Sequence, residues 1–119
     1  MKVQEVADIL LSSACEDSFG LYEAIWELNS KFPDAPLGEK YDVATAALLD
    51  LVKHGWIALE RVKEGREPEA VSPEAVRSIL SNPVSWYPEY DGTSICLFST
   101  ASGRSRYFGT AASGSSSGP

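Results

Sequence analysis

His54 is the one histidine of the chain, so a histidine-based triad or a histidine-ligated metal would have to be built on it. It stands directly before Gly55 at the end of an apolar helical pattern. There an imidazole complements the negative pole of a helix rather than a reaction. Cys15 and Cys96, the two cysteines, have no metal spacing and no sequence neighbour that would lower a thiol pKa; they read as idle thiols. Glu23 and Glu27 lie one turn apart on a helical face. Paired carboxylates do acid–base work or hold a cation only with further groups, and nothing in the sequence supplies them. Gly103 and Gly109 lack the lysine and the spacing of a phosphate loop. The expectation is a protein with no catalytic residues, no cofactor and no metal.

What remains is charge and aromatic surface. Among 119 residues, 10 Lys and Arg stand against 17 Asp and Glu, a net charge of -7. That balance disfavours a nucleic-acid or anionic-membrane binder driven by bulk charge, because the phosphate term needs clustered cations. Residues 1–32 carry six acids and two lysines. Arg61, Lys63 and Arg66, with Arg104 and Arg106, fall instead on two candidate strands and their margins, interrupted by Glu60, Glu64 and Glu67. The layout reads as a small basic edge opposite an acidic helical body. Trp26, Trp56, Trp86, Tyr87, Tyr90, Tyr107 and Phe108 are more aromatics than two short strands hide. Any of Trp86, Tyr87, Tyr90 and Tyr107 left in water would form a contact patch, since aromatics dominate interface hot spots.

Apolar residues at three- and four-residue steps (Val3, Val6, Ala7, Leu10, Ala14) predict a first helix over residues 2–14. Glu16-Asp17-Ser18 would cap a second, striped by Leu21, Ile25, Leu28 and Phe32 and stopped at Pro33. A third runs from Glu39 to His54, with Gly55 as its left-handed stop. Trp56 to Val62 predicts a strand with Ile57 and Leu59 buried, and Lys63 to Ala70 a charged loop. Ser72-Pro73-Glu74 opens a fourth helix capped by the Ser72 hydroxyl, and Trp86 folds back onto the core. Ser94 to Ser99 is a second strand with Ile95 and Leu97 inside, paired antiparallel with the first. Thr100 caps a final turn through Arg104, and residues 109–119, rich in Gly and Ser, form a disordered tail. Residues 1–108 are one domain. No apolar run reaches the length of a membrane span and no signal-peptide pattern opens the chain, so a reduced, cytoplasmic setting is expected.

Three helices, then Leu48-x-x-Leu51-x-x-x-Gly55-Trp56-Ile57-x-Leu59, then a strand running into Ser99-Thr100-x-x-Gly103-Arg104, resemble winged helix-turn-helix domains. The resemblance implies an α+β, mostly helical fold: a three-helix core with a two-stranded antiparallel wing, here carrying a helical insertion between the strands. It also implies a third helix that enters the major groove, where Lys40 would join Arg61, Lys63, Arg104 and Arg106 in contacting nucleic acid. The exposed positions of that helix would be Glu39, Lys40, Asp42, Thr45 and Ala46, and of these only Lys40 suits base reading. The leading expectation is therefore a non-catalytic module that binds another protein: a regulator, an assembly subunit, or an acidic inhibitor of a basic toxin or nuclease. The alternative is a DNA-binding transcriptional regulator acting as a dimer; a homodimer stays open in either reading.

Overall fold

A computed structural model describes residues 1–87 and 92–115. The first helix, α1, is Val3–Glu16, and it buries Val6, Ala7, Leu10, Leu11 and Ala14 along one face. The chain then forms a two-residue strand, β1 (Phe19–Gly20), before α2 (Leu21–Lys31). This strand displaces the cap expected from residues 16–18. Asp17 accepts only from the Ser18 amide, while the Glu23 carboxylate accepts from Gly20 N–H at 2.8 Å and closes the start of α2.

Helix α3 is Leu37–Lys53. Its end is a full Schellman closure: Gly55 N–H donates to Val52 O at 2.9 Å and Trp56 N–H to Leu51 O at 3.0 Å. Gly55 takes φ +72, the left-handed conformation expected of it. The chain is thereby turned straight into β2 (Ile57–Lys63).

β3 (Glu69–Ala70), α4 (Pro73–Ser81), a 3-10 turn at Pro83–Trp86, β4 (Thr93–Ser99) and α5 (Ala101–Ser115) complete the order. The strands form one antiparallel sheet in the order β1-β4-β2-β3. Sequence reasoning expected two strands; the outer pair are two residues each, too short to leave an alternation. β2 and β4 pair as expected, with Leu59 opposite Leu97. Ile57, Leu59, Ile95 and Leu97 are buried in one core with the inner faces of the helices. The fold is α+β and mostly helical, and the helical segment between β2 and β4 is packed into the body through Val76, Leu80 and Trp86.

Two terminal features differ from expectation. Ser72 occupies the N-cap position of α4 but its hydroxyl makes no capping bond; its carbonyl accepts from Ala75 N–H instead. The last helix is far longer than a turn ending at Arg104, and it continues past Gly109, where a tail was expected to begin. Thr100 does cap it: its Oγ accepts from Gly103 N–H at 2.9 Å and donates to the Gly55 carbonyl. Glycine is required at 103 because a Cβ there would overlap the Trp56 carbonyl. Thr100-x-x-Gly103 is thus the joint that locks α5 against the α3–β2 turn.

Candidate functional site

The core-facing positions of α3 are Lys40, Ala44, Ala47, Leu48 and Leu51. Tyr41 and Thr45 lie one helical step to the side, and that flank is where α4 and the 3-10 turn sit. The start of α4 (Pro73, Glu74, Arg77) lies beside Leu49, Val52 and Lys53, and its end (Leu80, Ser81) beside Tyr41, Asp42 and Thr45. The two helices therefore run antiparallel, side by side.

Between them opens a groove of about 540 Å³, lined by Tyr41, Asp42, Thr45, Leu80, Ser81, Pro83, Trp86 and Tyr87. Trp86 is its inner wall, 3% exposed, with its indole N–H donated to the Leu80 carbonyl at 2.9 Å. That bond satisfies the one polar atom that burial would otherwise strand. Tyr41 sets its ring edge-on to Trp86, centroids 5.3 Å apart at 87°, and its hydroxyl donates to Tyr87 Oη at 3.3 Å. Burial and the Tyr87 bond push the Tyr41 phenol up to about 12. Tyr87 itself stays 57% exposed at the mouth.

Of the aromatic contacts expected, Tyr87 alone among the described residues is both exposed and at a cavity. Trp86 is core. Tyr107 is half-buried and accepts from Ser12 Oγ at 3.1 Å, on the opposite side where α5 meets α1. Tyr90 lies outside the described residues. Sequence reasoning missed Tyr41, Leu37 and Val84, and it counted Trp26 among the surplus aromatics without making it a contact candidate. Leu37 and Val84 are exposed, Leu37 one turn before Tyr41 on α3 and Val84 two residues after Asn82 in the 3-10 turn. The signal available was Leu37 and Tyr41 at four-residue spacing, off the core stripe. Trp26 is 63% exposed on α2, edge-on to Tyr22.

The nucleic-acid candidates do not converge. Lys40, expected on the exposed face, is 5% exposed and points its ammonium at Asn29 Oδ1, 2.8 Å away on α2. Its long apolar stem explains the burial, since it fills the α2–α3 seam as a hydrophobic residue would. Arg61 and Lys63 lie toward the far end of β2, lining a cleft with Arg66, Glu67 and Glu69. Arg104 and Arg106 are at the near end: the Arg104 guanidinium donates to Ser99 O and Oγ, and Arg106 lies 5.0 Å over Trp56. A strand rising about 3.3 Å per residue separates the two groups by roughly 20 Å. The basic edge expected from sequence is two separate clusters, one of them mixed with carboxylates.

No family model, curated protein or solved structure matches this chain.

Glu23 caps α2, and His54 stacks on Trp56 at 4.4 Å while its Nδ1 meets Asp50 O at 2.8 Å. The Cys15 thiol is pushed up by burial, which outweighs the Ser99 hydrogen bond and the charge of Arg104, a neighbour in space that sequence did not reveal. Among the described residues no group of three or more His, Cys, Asp or Glu is arranged to hold a metal, and no helix is long and apolar enough to cross a membrane.

Proposed function

We propose that the chain is a non-catalytic, winged-helix-like module that binds a segment of another protein in the groove between α3 and α4. The winged-helix reading is supported by the Gly55 closure of α3, the antiparallel β2–β4 pair and the Thr100–Gly103 joint. The observation that carries the functional reading is the placement of α4 on the flank of α3. A single helix, about 10 Å across, fills a major groove about 12 Å wide. α3 with α4 alongside is about twice as broad. The ridge of α3 left open carries Glu39, Asp42 and Asp50 against Lys53, so it would press carboxylates toward phosphates. The same placement that obstructs a duplex creates an apolar-walled groove with an exposed tyrosine at its mouth, the make-up of a peptide-binding cleft.

The test is a parallel selection on the intact chain, from displayed random peptides and from random duplex DNA at moderate salt. Peptides should be enriched whose binding is lost when Thr45→Trp fills the groove and weakened in Tyr87→Ala. Enrichment of one DNA motif, lost on Arg104→Glu with Arg106→Glu, would overturn the proposal in favour of a DNA-binding regulator.

A further inference from the structure

We infer that the occupant of this groove is a cationic segment, an arginine or lysine set beside an apolar anchor; this rests on the protein-binding reading above. Leu80, Pro83 and Trp86 offer an apolar wall, which calls for an apolar side chain opposite it. Every other lining group is a neutral hydroxyl except one. Asp42 is the single charged residue lining the groove, it is exposed, and among the described residues no cation pairs with it. Glu39, one turn before it on the open ridge of α3, adds to the negative field, whereas Asp50, two turns on, shares a separate cleft with Lys53 and Arg77. Lys40, the one cation in that half of α3, is turned away into the α2–α3 seam. The whole chain carries -7, so its distant charges reinforce the local sign.

Tyr87 completes the arrangement. Its exposed ring lies at the same mouth as Asp42, so a guanidinium could lie over the ring while reaching the carboxylate. An acidic or phosphorylated segment would meet uncompensated carboxylates with no donor cation in the groove. An exposed ion pair and an exposed cation–π contact each contribute a few-fold in affinity, so together they discriminate by about tenfold.

The experiment takes an arginine-bearing peptide recovered from the random library and the same peptide with glutamate in its place. Each is titrated against the full chain, with the change in its tryptophan fluorescence, to which Trp86 in the groove wall contributes, as the readout. The arginine peptide should bind about tenfold more tightly to the native protein. Asp42→Asn should remove the ion-pair share and leave a few-fold preference, and Asp42→Lys should abolish or reverse it, with melting curves confirming that both variants are folded. Peptides that bind with no preference for charge, or a preference untouched by Asp42→Lys, would overturn this inference and leave the protein-binding reading standing. Failure of any peptide to bind would instead sink that reading, and this inference with it.

Discussion

Replacing Gly103 by alanine should destabilise the protein, although glycine-to-alanine changes inside helices ordinarily do the reverse. Gly103 is the third residue of α5, where alanine's helical advantage is worth up to about 1 kcal/mol. Against it stands the Trp56 carbonyl, directly in the path of the added Cβ. That oxygen is held in place by the Thr100 amide, which donates to it at 3.1 Å, and it belongs to backbone that cannot rotate aside as a side chain would. Overpacking costs about 1–3 kcal/mol, and an immovable neighbour places this site in the upper part of that range. The net expectation is a loss of about 1–2 kcal/mol, or about 4–8 °C in Tm for a domain of this size. Gly109→Ala is the matched control: it lies in the same helix with nothing within 4 Å of a Cβ, so it should be neutral or mildly stabilising. Urea unfolding followed by tryptophan fluorescence gives both values. A Gly103→Ala protein as stable as Gly109→Ala would refute the joint between α5 and the α3–β2 turn.

Leu97 is fully buried on β4, one of the two inner strands, opposite both Leu59 and Phe19, so Leu97→Ala should cost about 2–5 kcal/mol in denaturant melts; a cost below about 1 kcal/mol would contradict its place in the core. Ser72→Ala should cost less than the roughly 0.5–2 kcal/mol of a working cap, because the hydroxyl makes no capping bond; a full cap-sized loss would show that it does. Lys40→Met should leave stability equal or improved, since it keeps the packed stem and removes a buried ammonium that faces only a neutral amide; strong destabilisation would mean the Asn29 contact is worth more than its desolvation. The Tyr41 phenol, raised from 10.0 to about 12, binds its proton more tightly folded than unfolded. Its contribution to stability is therefore complete below pH 10 and lost as pH rises toward 12, and Tyr41→Phe should flatten that part of the stability–pH curve.

The local elements were legible in the sequence because each is governed by short-range chemistry. Val6, Leu10 and Ala14 share a helical face by periodicity alone, Gly55 stops α3 because its φ is positive, and alternation put Ile57, Leu59, Ile95 and Leu97 inside. Two-residue strands escaped notice, since Phe19–Gly20 and Glu69–Ala70 become strands only by pairing with β4 and β2. Lys40 was misjudged for a related reason. Its residue type speaks for solvent, but the α2–α3 seam buries its stem and Asn29 receives its ammonium. The groove lay beyond sequence altogether. Tyr41 and Tyr87 are 46 residues apart, and only the antiparallel docking of α4 on α3 brings them into hydrogen-bond contact. Periodicity tells a helix which face to bury, whereas which neighbour covers the remaining flank is settled by the packing of the whole chain. Here that packing places an apolar-walled cleft along the helix that the resemblance would have sent into DNA.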